Sequence, residues 1–162
     1  MKKLEIIGFG GGCHWCTEAV FQSLKGVGEV EQGYISTATE PEVFYEGVIV
    51  HYHPNLISLE KLIEIHLITH HSTSNHSMRS KYLSGIYVFN NDQKILSDKI
   101  LNELQEDYDK KIITRTYDFG NFKASRPEIR NYYKTDPGKP FCKLYIDPKL
   151  KILEKDHLDL LK

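Results

Sequence analysis

Cys13 and Cys16 stand three residues apart, directly after the run Gly10-Gly11-Gly12 and just before Thr17 and Glu18. At helical spacing the two sulfurs fall on one side of a first turn. If a strand ends at the glycines and a helix begins at Cys13, unpaired backbone N–H groups and the positive end of the helix dipole stabilise a thiolate there. Such a cysteine is a nucleophile, and the C-x-x-C pair fits thiol–disulfide chemistry or half of a zinc site. Zinc needs a second ligand pair, which the distant Cys142 does not make by itself. The glycines fit a dinucleotide fingerprint poorly, because Cys13 occupies the sixth position of G-x-G-x-x-G and no acidic ribose ligand follows at the expected distance.

A second group of chemically capable residues is His66, His70, His71 and His76. The i, i+4 pair His66/His70 could hold a metal on one helix face. With no H-E-x-x-H motif and no carboxylate inside the cluster, histidines at a helix end and in a loop, without metal, are the better reading.

The elements that must position these residues are legible from periodicity. Leu4 to Phe9 suits a buried strand, and a helix fits Cys13 to Leu24 with a stop at Gly26. Strands are predicted over 27–35, 43–52, 85–89 and 112–117. Ser58 caps an amphipathic helix through Leu59, Leu62, Ile63 and His66, and Asn90 or Asn91 caps another with Ile95, Ile100, Leu101, Leu104 and Tyr108 on one side. A short helix is expected over 127–133, a turn at Asp136-Pro137-Gly138 and a docking helix from Pro148. The order βαββαβαβ implies an α+β sandwich with a mixed sheet and helices packed against it, in ferredoxin-like form.

At 162 residues the chain is expected to be one domain, 1–162, with a core that needs no disulfide staples. Its net charge of -1 gives no basic field, so neither nucleic acid nor an anionic membrane surface is an expected partner. No apolar run is long enough to span a bilayer. Met1-Lys2-Lys3 is followed by Leu4-Glu5-Ile6-Ile7 and Gly8 rather than by a signal-peptide apolar segment, so a cytoplasmic location is expected. Three cysteines, an odd number, argue against a disulfide framework.

The stretch Phe9-Gly10-Gly11-Gly12-Cys13 followed by Trp15-Cys16-Thr17-Glu18-Ala19-Val20-Phe21 resembles the signature of the peptide methionine sulfoxide reductase A family. The likeness continues through Gly33-Tyr34, Glu46-Gly47-Val48, Tyr52-His53-Pro54, Lys81-Tyr82-Leu83-Ser84 and the tail Tyr132-Tyr133-Lys134 to Pro140-Phe141-Cys142 and Ile146-Asp147-Pro148-Lys149-Leu150. It implies a thiol-dependent reductase of methionine S-sulfoxide, free or in peptides and proteins, with no cofactor and no metal. Cys13 would be the nucleophile, Glu46 would start protonated and give its proton to the sulfoxide oxygen, and Tyr82 would hydrogen-bond that oxygen. Trp15 would wall an apolar pocket for the substrate methyl group. The Cys13 sulfenic acid would condense with Cys142 or Cys16, the resemblance favouring Cys142, and thioredoxin or a similar dithiol would reduce the disulfide. From the residues alone, a general C-x-x-C disulfide oxidoreductase and a metal-binding module are the other readings.

The chain also departs from that pattern. His14 stands where the family has phenylalanine, making the pocket more polar and placing an imidazole where it could lower the Cys13 pKa. His71 replaces an aspartate, the loop over 74–81 is short, and 128–131 lacks the family's Tyr-His-Gln triplet. The segment over 36–45 is shortened where a second oxygen-binding tyrosine normally sits, leaving Tyr45 or Tyr34 to substitute.

Overall fold

A computed structural model of the chain describes residues 4–70, 72–73 and 82–162. Strand β1 (Glu5–Gly10) runs through the glycine turn into helix α1 (His14–Gln22), as the sequence predicts. Then follow β2 (Val27–Thr37), β3 (Tyr45–Tyr52), α2 (Leu59–Thr69), β4 (Gly85–Val88), α3 (Asn91–Leu104) and β5 (Arg115–Ala124). The tail holds the short α4 (Tyr132–Thr135), a π-helical turn over Cys142–Ile146 and α5 (Asp147–Asp156). Both predicted caps form: Ser58 Oγ accepts the Lys61 N–H at 3.2 Å, and Asn90 Oδ1 accepts the Gln93 N–H at 2.8 Å.

The mixed α+β class stands, but the open ferredoxin-like sandwich does not. The strands close into a barrel in the order β1-β3-β2-β5-β4, with β1 also paired to β4. All neighbours are antiparallel except β4 and β5. The physical reason lies in β5, which starts later than predicted and runs on to Ala124. It pairs β4 with its first half and β2 with its second, so no free edge is left. Two irregularities bend β2, and Gly33 lets the seam tighten: a Cβ there would overlap the Lys123 carbonyl oxygen.

Strand alternation then sorts the side chains. Ile7, Phe9, Val48, Val50 and Tyr52 face the helices, where Phe9 stacks on Phe21 of α1 with ring centres 4.7 Å apart. Ile35, Ile49 and Tyr87 point the other way, into the barrel, with Phe119 and Phe122. On α3 the buried stripe runs through Ser97 and Ile100 and is continued by Leu101, Leu104 and Tyr108. Ile95 falls off it and is 61% exposed. The predicted helix over 127–133 is a 3-10 turn, Pro127–Ile129, separated from α4 by Asn131 in the left-handed region at φ 54°. Among the described residues no helix is long and apolar enough to cross a membrane.

Candidate active site

Cys13 is the N-cap of α1, with extended backbone, and its carbonyl oxygen accepts the N–H groups of Cys16 and Thr17, both at 3.1 Å. The glycine turn that delivers it is tightly fitted. Gly11 sits at φ 141°, and a Cβ there would stand 2.6 Å from the His70 ring. His66 Nε2 donates to the Gly10 carbonyl at 2.8 Å. His70 Nδ1 donates to the His66 carbonyl, and His70 Nε2 is 2.8 Å from Ser84 Oγ, which contacts Thr114 Oγ1 at 2.6 Å. His66 and His70 therefore brace the cysteine loop. Among the described residues no three His, Cys, Asp or Glu side chains are grouped to hold a metal, and His71 and His76 lie outside those residues.

The thiols are differentiated. A hydrogen bond from the Cys16 thiol lowers the Cys13 pKa, helped by the Trp15 and Cys16 backbone N–H groups and opposed by burial and by the Glu46 charge. The same hydrogen bond, with burial and the Cys13 charge, drives the Cys16 pKa far up. Burial raises Cys142. Cys13 is thus the thiol of the three most disposed to ionise. Lys149 of α5, anchored on the Thr69 carbonyl, borders a small cavity with Cys16 and acts against the rise there.

Glu46, at the start of β3, is buried beside this thiol. Its Oε1 accepts the His14 backbone N–H at 3.2 Å and lies 3.5 Å from His14 Nε2, while His14 Nδ1 meets the Gly33 carbonyl at 3.0 Å. The imidazole is therefore turned toward the acid, and the hydrogen bond that chiefly lowers the Cys13 pKa comes from Cys16 instead. Tyr34 pairs across the sheet with Glu46 and sets its ring 5.3 Å from that of His14. Tyr45 is one residue away, so it faces into the barrel toward Tyr87 and Tyr117. Of the two substitute tyrosines, only Tyr34 stands on the site's face. Tyr82 immediately precedes Leu83, whose carbonyl abuts Gly10, and so lies close to the cysteine loop.

The tail brings the third cysteine in. Cys142 is fully buried in one apolar cluster with Cys16, Ala19 and Ile146, against which Cys13 and Trp15 pack. Trp15 stacks on Tyr132 at 4.1 Å and meets Phe141 edge-on at 5.2 Å. Glu18, 1% exposed, holds this tail down: its carboxylate accepts the Asn131 N–H at 2.9 Å, the Tyr132 N–H at 3.1 Å and Gln32 Nε2 at 2.9 Å. Sequence reasoning gave no role to Glu18, Tyr132 or Phe141. The available signal was an acid in the middle of the helix that follows the cysteine pair, and two aromatics flanking the turn before Cys142.

A family model for peptide methionine sulfoxide reductase matches residues 5–160. The chain belongs to the peptide methionine sulfoxide reductase family. The peptide methionine sulfoxide reductase MsrA of Pasteurella multocida is 34% identical over 87% of this chain and 89% of its own length. Among solved structures of the fold, reduced Mxr1 from Saccharomyces cerevisiae has a TM-score of 0.70, with 21% identity over 86% of this chain and 90% of that one. Mxr1 in complex with Trx2 has a TM-score of 0.58, with 22% identity over 80% and 85%. Within this reductase family, then, the present chain carries its three cysteines in one cluster and an imidazole against its buried glutamate.

Proposed function

We propose that this chain reduces the S-diastereomer of methionine sulfoxide, free or in peptides and proteins, with Cys13 as nucleophile and Glu46 as acid. The observation that carries the reading is the convergence of a thiolate-favouring cysteine, a buried glutamate and a second buried thiol at one helix start in a reductase-family chain. The Cys13 thiolate attacks the sulfoxide sulfur while Glu46 protonates the oxygen, and Tyr82 and Tyr34 hydrogen-bond that oxygen. Trp15, backed by Tyr132, walls the methyl group. The oxygen leaves on Cys13 as a sulfenic acid and methionine departs.

Cys142 then attacks the sulfenic sulfur and water is released. Cys142 is preferred to Cys16 as the resolving thiol because the tail around it carries the family likeness and brings it, buried, into the cluster against which Cys13 packs. A dithiol of the thioredoxin class returns the disulfide to thiols, in keeping with the Trx2 complex known for Mxr1. A cytoplasmic location belongs to the same reading, supported by the odd cysteine count.

The test supplies each methionine sulfoxide diastereomer with dithiothreitol. Turnover of the S form alone is expected, with Cys13→Ser inactive and Glu46→Gln slowed about 10²- to 10⁴-fold. No turnover of the S form by protein whose Cys13 is a free thiol would overturn the reading.

A further inference from the structure

His14 and Glu46 are both buried, and the two ring nitrogens of His14 face different partners. The Gly33 carbonyl, 3.0 Å from Nδ1, can only accept, so Nδ1 carries a hydrogen. Nε2 is therefore the nitrogen that gains and loses a proton, and it faces Glu46 Oε1 at 3.5 Å. Without a proton there, a nitrogen lone pair confronts a carboxylate oxygen away from water. With one proton in the pair, an imidazolium stands beside a carboxylate or a neutral imidazole beside a carboxyl group, and either arrangement removes that clash. Among the described residues, the titratable groups facing the pair include Cys13 at the start of α1, whose thiolate repels charge on Glu46, and Tyr34 of β2 against the imidazole edge.

We propose that His14 and Glu46 hold one proton jointly and that this is the proton delivered to the sulfoxide oxygen, His14 acting as a positioning residue that keeps Glu46 loaded. The delivery step rests on the reductase reading. A Cys13 thiolate electron pair forms a bond to the substrate sulfur as the pair's proton goes to the sulfoxide oxygen; the substrate S–O bond then breaks as that oxygen bonds to Cys13, and the sulfur–sulfur bond breaks with its electron pair returning to the methionine sulfur, leaving Cys13 as S–OH. Methionine leaves with its sulfur reduced by the two electrons that the Cys13 sulfur has lost. The pair remains as carboxylate and neutral imidazole. Once the dithiol reductant has restored Cys13 as a thiol, transfer of that thiol's proton to the pair regenerates thiolate and loaded acid together.

Two measurements test this. In the first, kcat/KM for the S-sulfoxide is followed against pH in the unmutated protein and in His14→Phe, which keeps the ring volume without the nitrogens. His14→Phe loses about tenfold at about pH 8 and under about twofold at about pH 5.5, where solvent protons load Glu46 directly. An equal loss at every pH, or none, overturns the proposal. In the second, NMR follows the His14 imidazole nitrogens and the Glu46 carboxyl carbon in unmutated reduced protein, with His14→Phe and Glu46→Gln used for assignment. One common titration at both sites is expected, and two independent titrations overturn the pairing. If the unmutated protein turns over neither diastereomer, the reductase reading and the delivery step fail, and the NMR result separately decides whether the proton is shared.

Discussion

Replacing Glu18 by glutamine tests how the tail is held over the thiols. The carboxylate takes three N–H donors, two from the backbone at Asn131 and Tyr132 and one from Gln32, in a position 1% exposed. Glutamine keeps one oxygen, which can still serve Tyr132 and Gln32, but it turns an NH₂ group toward the Asn131 N–H. One hydrogen bond to a charged acceptor is lost, worth about 1.5–3 kcal/mol, and a buried donor is left facing a donor, costing about 1–3 kcal/mol. These overlap, so the net loss is about 2–4 kcal/mol, equivalent to a fall of about 4–16 °C in Tm for a chain of this size. Trp15 is the sole tryptophan and stacks directly on Tyr132, so its fluorescence reports tail detachment. In a urea titration of Glu18→Gln, the fluorescence transition moves to lower denaturant and precedes loss of far-ultraviolet circular dichroism, because the tail opens before the barrel. A variant within about 0.5 kcal/mol of the unmutated protein, with unchanged Trp15 emission, would show that Glu18 does not hold the tail.

Two further substitutions probe the cysteine loop. Cys16→Ala removes the hydrogen bond that most lowers the Cys13 thiol below its ordinary 9.0, so the midpoint of Cys13 alkylation against pH shifts upward; an unmoved midpoint contradicts this assignment. Gly11→Ala forces a Cβ into the left-handed region and against His70, and should cost about 1–3 kcal/mol in a denaturant titration; a cost under about 0.5 kcal/mol would show the loop to be less tightly braced.

Local signals carried much of this fold. The glycine turn, the Ser58 and Asn90 caps and the helical stripe of α2 are each set by residues close in sequence, and each formed where predicted. Barrel closure depends on pairing between segments far apart. In β5 the polar residues Asp118, Asn121 and Lys123 interrupt the strand pattern, so its second half read as loop although it pairs with β2. At the site, Cys13 and Glu46 were legible from type, spacing and family likeness. The role of His14 was not, because its ring is aimed by the Gly33 carbonyl, a backbone group that no side-chain pattern records. Tyr45 was proposed beside the site, and the pleat of β3, one residue from Glu46, turns it into the barrel. Glu18 drew no role from the sequence, because its partners Asn131 and Tyr132 become neighbours only once the tail folds back.

The central claim is that Cys13 takes the sulfoxide oxygen and hands the oxidation to Cys142. Fully reduced protein mixed with excess methionine S-sulfoxide, without any external thiol, and then analysed by peptide mass mapping tests it directly. About one methionine released per chain is expected, with a Cys13–Cys142 disulfide and Cys16 still alkylatable. Three alkylatable thiols and no released methionine would contradict it.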